Sequence, residues 1–155
     1  MSVKINTKVK KFKVSATNEL EIDSTDLIGK SYVIYFYPKD NTPGCTQEGE
    51  DFRDLYKEFK KLKTEIYGVS RDSLKSHEGF KEKYKYPFEL ISDTEEKLCN
   101  LFDVIKEKNM YGKKFIGIER STFLIDEKGI LRKEWRKVKV KDHVEEVLTV
   151  LKEIK

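Results

Sequence analysis

The chain has 155 residues, which suits one domain of ordinary size and leaves no room for a second. Charged residues make up 39% and hydrophobic residues 37%, against a usual charged share of about 25%, so the expectation is a soluble protein with a densely ionised surface around a modest core. The net charge of +4 comes from 32 basic and 28 acidic residues interleaved along the whole length, which offers no single-sign face to a nucleic-acid backbone.

The densest basic run, 132–141, contains Glu134, Trp135, Val138 and Val140 and reads as a strand with a solvated outer face. No apolar run approaches the ~18 residues of a membrane span, and the N-terminus lacks the apolar core of a secretory signal. Two distant cysteines in such a chain fit a reducing compartment, so a cytoplasmic location is expected.

In chain order, residues 12–22 suggest a hairpin turning at Thr17-Asn18. Residues 32–37 (YVIYFY) are nearly all apolar, as a central strand covered on both faces should be. Phe52, Leu55, Tyr56, Phe59 and Leu62 recur at helical spacing and predict a helix from about Thr46 to Lys63. Strands are expected at 65–69 and 88–91, followed by a helix over 94–105 with Leu98, Leu101, Phe102 and Ile105 inward and Asp93 and Glu96 as a capping box. Strands 121–125 and 130–135 flank Asp126-Glu127-Lys128-Gly129, a hairpin turn. A last helix is expected to open at Asp142, with Glu145 as its capping partner and Val144, Val147, Leu148 and Leu151 inward. Strands alternating with helices, plus one hairpin, predict an α/β fold with a mixed central sheet.

The segment from Tyr35 to Glu48 carries the chemistry. Pro38 has no N–H and ends the strand, opening a loop at the carboxyl edge where α/β sheets bind ligands. Thr42, preceding Pro43, is held out of helical geometry and suits an N-cap, while Pro43 suits the first helical position. Cys45 then falls in or beside the first turn, where the helix dipole and unpaired N–H groups favour thiolate over thiol. Thr42 is expected to set a hydroxyl near the sulfur, and Gly44 to leave space beside it. The bland alternative, a cysteine kept for packing, fits poorly with neighbours that are Thr, Pro, Gly, Thr and Gln.

Pro38, Thr42 and Cys45 form a P-x-x-x-T-x-x-C pattern that resembles the peroxiredoxins. The run YPKDNTPGCTQE, together with GVSRD (68–72), KNMYGKKFIGIERSTFLID (108–126) and WRKVKVKDHVEEVL (135–148), is similar to the peroxiredoxin Q or bacterioferritin comigratory branch over nearly the whole chain. The resemblance implies a thioredoxin-like fold with helices on both faces of the sheet. It also implies Cys45 as the peroxide-attacking sulfur, Pro38, Thr42 and Arg120 around it, and Glu48 supporting Arg120 from behind. Arg120 is one of only five arginines in a lysine-rich chain, which fits a need for the planar fork and fits an ordinary ion pair equally well.

The reaction so implied is thiol-dependent reduction of a hydroperoxide through a sulfenic acid at Cys45, without metal or organic cofactor. The resolving cysteine common in that branch, five residues on, is replaced by Glu50. Cys99 is the only other thiol and reads as a partly buried small hydrophobe, so an external reductant is expected, whether thioredoxin, glutaredoxin or a small thiol. A monomer or weak homodimer is implied. His77 and His143, each in a helix-start pattern among Lys and Glu, read as surface or capping residues, and Asp40, Glu48 and Asp51 as solvated helix-start charges. Tyr111-Gly112-Lys113-Lys114 does not form a phosphate cradle. Two other classes stay open: a thioredoxin-type oxidoreductase, disfavoured because no C-x-x-C is present, and a binding module without catalysis.

Overall fold

The computed structural model describes residues 3–155. A seven-stranded sheet runs in the order β2-β1-β5-β4-β3-β8-β9, where β1 is Lys13–Ala16, β2 Leu20–Asp23, β3 Ser31–Phe36, β4 Thr64–Ser70, β5 Glu89–Ser92, β8 Ser121–Ile125 and β9 Leu131–Trp135. β3, β4 and β5 are parallel, and the strands outside them pair antiparallel, so the sheet is mixed as expected. The N-terminal hairpin turns through Thr17, Asn18 and Glu19, the last two at positive φ.

β3 is buried at every position. Its side chains alternate between two cores: Tyr32, Ile34 and Phe36 join one, and Val33 and Tyr35 the other, with Tyr37 just past the strand joining the second as well. The second core is closed by helix α1 (Pro43–Lys61), helix α4 (His143–Ile154) and Phe80 of helix α2 (Leu74–Tyr84). Phe52 of α1 stacks 4.5 Å from Tyr35, and truncating it to alanine would cost about 3–5 kcal/mol. The first core takes Leu98 and Cys99 from the short helix α3 (Lys97–Leu101).

Four expectations change. α1 begins at Pro43, one turn earlier than its apolar stripe suggested, so Cys45 sits inside its first turn. The 94–105 helix shrinks to α3 because the Asp93 carboxylate itself accepts the N–H groups of Leu98 and Cys99, while Glu96 adopts positive φ and makes no cap bond. Asp142 likewise takes positive φ and makes no side-chain cap to α4. The strand proposed for 132–141 ends at Trp135. A hairpin of β6 (Ile105–Met110) and β7 (Lys113–Ile118), turning at Tyr111-Gly112, stands outside the main sheet. Both turn residues have positive φ, as a two-residue hairpin turn demands.

Candidate active site

Pro38 follows the end of β3, and the loop it opens leads through Asp40 to Thr42 and into α1. Thr42 has the extended backbone of an N-cap, but its hydroxyl donates to the Lys39 carbonyl at 2.8 Å and neither caps the helix nor bonds the sulfur. The first turn of α1 is thus left without a side-chain cap, and Cys45 lies in it only 2% exposed.

Arg120 reaches this sulfur from the link between β7 and β8. Its carbonyl accepts the N–H of Val138 at 3.0 Å, and the neighbouring Glu119 N–H donates to Val104 at 2.7 Å, which fixes the link from both sides. Nη2 of Arg120 donates to Cys45 Sγ at 3.3 Å, and Nη1 donates to Glu48 Oε1 at 2.6 Å. One planar fork therefore holds two residues spaced almost one turn apart on α1, which a lysine ammonium would not do. Gly44 permits the approach, since a Cβ there would stand 3.1 Å from Nη2. Burial opposes the charge on Arg120, and Glu48 and the Cys45 sulfur outweigh it, so the guanidinium stays ionised.

Glu48 is fully buried, which corrects its reading as a solvated charge. Burial pushes its carboxyl up to about 7 against the pull of Arg120, with Asp51 adding to the rise. Its second oxygen has no hydrogen-bond partner and lies 4.0 Å from Nε2 of His143. His143, also read as a surface or capping residue, is 5% exposed and bonds the Thr122 hydroxyl at 2.8 Å. Burial lowers it to about 4, so it faces Glu48 as a neutral ring. Asp51 is half-buried.

Asp40 and His77 are corrected in the same way. Asp40 is 5% exposed and His77 is fully buried, and they meet at 2.7 Å. Ligand-type atoms of Asp40, Asp72 and His77 lie within 4.8 Å of one another. Hydrogen bonds to Tyr37, Ser76, Ser70, the Ile91 carbonyl and the Asp40 amide account for this cluster without an ion. Lys108, on β6, is a cation that the sequence reading did not single out; its Nζ donates to the Ile118 carbonyl, and burial together with Arg120 lowers its basicity. Cys99 packs in the first core and Cys45 in the second, so the central sheet lies between the two sulfurs. Burial, reinforced by Asp93, pushes the Cys99 thiol well above its ordinary range. Among the described residues no helix is long and apolar enough to cross a membrane.

A buried sulfur bonded to a guanidinium at the carboxyl edge of a sheet can act as a nucleophile toward a small electrophile. The family model described as the AhpC/TSA family matches residues 5–134. Peroxiredoxin Bcp of Bacillus subtilis is 51% identical over 154 residues, 99% of this chain and 98% of the relative. Peroxiredoxin Bcp of Xanthomonas campestris is 59% identical over 124 residues, 80% and 78% of the two chains. Among solved structures, a cysteine-to-serine mutant of Xylella fastidiosa PrxQ matches with a TM-score of 0.94 at 42% identity, covering 99% of this chain and 98% of that one. The Xanthomonas campestris bacterioferritin comigratory protein, studied for alkyl peroxide reduction, matches with a TM-score of 0.88 at 51% identity, covering 92% and 91%.

Proposed function

Given that the chain belongs to the AhpC/TSA family, as a peroxiredoxin of the Bcp or peroxiredoxin Q kind and hence a thiol peroxidase, we propose that Cys45 is its reacting sulfur and that an external thiol completes the cycle. The observation that carries the reading is the Arg120 fork, which bonds Cys45 with one nitrogen and the buried Glu48 with the other.

The thiolate attacks the terminal oxygen of the hydroperoxide; an S–O bond forms and the O–O bond breaks. Sulfur is oxidised to a sulfenic acid, and the leaving alkoxide or hydroxide takes a proton to become alcohol or water. Arg120 and the uncapped N–H groups of the first turn are aimed where that negative charge moves, with Pro38, Thr42 and Gly44 shaping the loop around it. A reducing thiol then displaces water to give a mixed disulfide, and a second thiol releases Cys45. Alkyl hydroperoxides are included as substrates on the likeness to the Xanthomonas campestris protein. The separation of Cys45 from Cys99 by the sheet supports reduction from outside the chain. The likeness to the peroxiredoxin Q kind supports a cytoplasmic protein that acts as a monomer or weak homodimer.

The test is peroxide consumption supported by a dithiol. The native chain should turn over, and a Cys45→Ser protein that still turned over would overturn the assignment.

A further inference from the structure

Asp40 lies midway between Pro38, which closes β3, and Thr42, which opens α1. A carboxylate withdrawn from water must be met by donors, and this one is met from three directions. Tyr37 Oη donates to Oδ1 at 2.7 Å, and Ser76 Oγ and His77 Nδ1 both reach Oδ2 at 2.7 Å. The Asp40 N–H donates to Asp72 at 2.9 Å. His77 continues the chain of contacts, its Nε2 lying 2.9 Å from the Ile91 carbonyl of β5. A carbonyl oxygen only accepts, so Nε2 carries a hydrogen, and the remaining proton of the pair lies between Nδ1 and Oδ2. Such a bond, shielded from water, is among the strong ones.

We propose that the buried Asp40–His77 pair is a positioning device for Cys45, clamping the 38–42 loop to α2 and β5 so that the first turn of α1 presents the sulfur to Arg120. This rests on the reading of Cys45 as the reacting sulfur. The pair touches no reacting atom; it acts through the loop. The first turn of α1 has neither a side-chain cap nor an acidic residue to favour it, so the bonds at residue 40, just ahead of it, act beside those of Arg120 to Cys45 and Tyr86 to the Thr46 carbonyl in opposing its fraying. The Cys45 sulfur is held at 2% exposure, so a reducing thiol reaches it once oxidised only if that turn moves. The clamp therefore acts oppositely on the two halves of the cycle: peroxide attack needs the turn held, and reduction needs it released.

The test separates those halves. Cys45 oxidation by hydrogen peroxide, and reduction of the preformed sulfenic acid by a thioredoxin, are each followed in single turnover by mass spectrometry of quenched samples. Asp40→Ala and His77→Ala should slow oxidation by about tenfold or more, the scale of a misplaced reacting group, and leave reduction as fast or faster. Asp40→Asn keeps the clamp without its charge, because its amide can donate to Nδ1 of a neutral His77 while its carbonyl accepts from Tyr37, and it should restore both rates to within about threefold of the native ones. If the alanine variants fail to fold, Ser76→Ala, which removes one donor and spares the pair, should show the same divergence on a smaller scale. Native rates in Asp40→Ala, or both rates falling together, would overturn the clamp alone. A native chain left unoxidised at Cys45 would overturn the assignment of the sulfur as well.

Discussion

Glu48→Gln isolates the electrostatic cost of the carboxyl behind Arg120. In the folded chain burial raises this group from 4.5 to about 7, with Arg120, Asp51, Cys45, Tyr35 and His143 around it. A raised acid binds its proton more tightly folded than unfolded, so its contribution is fully present below 4.5 and is lost as pH climbs to about 7. At about 1.4 kcal/mol per pH unit, the loss is about 3 kcal/mol. His143 works with the opposite sign. Lowered by burial from 6.5 to about 4, it contributes above 6.5 and loses that contribution as pH falls toward 4, again by about 3 kcal/mol. Between 4.5 and 6.5 the two slopes nearly cancel in the native chain, whereas Glu48→Gln retains only that of His143. Urea unfolding of both proteins in reductant, across that range and up to pH 7, should show the native-minus-variant difference falling by about 3 kcal/mol as pH rises. A difference that stays constant would refute the buried, proton-holding carboxyl.

Arg120→Lys keeps the charge and loses the fork, so kcat/KM for peroxide should drop by about 10²–10³, and near-native kinetics would show that bridging Cys45 and Glu48 is unnecessary. Gly44→Ala places a Cβ 3.1 Å from Arg120 Nη2 and should cost about tenfold in the peroxide step while circular dichroism stays native. Cys99→Ala should leave turnover unchanged with a small-thiol reductant and lower stability by about 1 kcal/mol, read by denaturant unfolding.

Much of the scaffold was legible because it obeys local rules. The apolar run of β3, the stripe of α1 and the turn at Asp126–Gly129 each state their own period or turn chemistry. So did the strand-ending Pro38 and the pairing of Thr42 with Pro43 that put Cys45 in the first turn. The β6–β7 hairpin escaped notice because its strands are rich in lysine and largely exposed, and the positive-φ turn at Tyr111-Gly112 defines it. α2 showed only as a helix-start pattern around His77, and its extent was not traced because only His77 and Phe80 are buried along its length, too sparse a stripe to read. The buried polar groups were misread for a deeper reason: His77 meets Asp40 across 37 residues, Arg120 meets Glu48 across 72, and no window of sequence holds both partners. A histidine three residues before Phe80 on an otherwise charged helix was the one local hint. Helical period likewise says that Cys99 points inward, but not on which face of the sheet.

The central claim is tested most directly by oxidising the reduced chain with one equivalent of peroxide, without reductant, in the presence of a sulfenic-acid trap, and mapping the product by mass spectrometry. The account predicts a single trapped adduct on Cys45, with Cys99 still a free thiol. A disulfide joining Cys45 to Cys99 within one chain, or an adduct on Cys99 with Cys45 untouched, would contradict it.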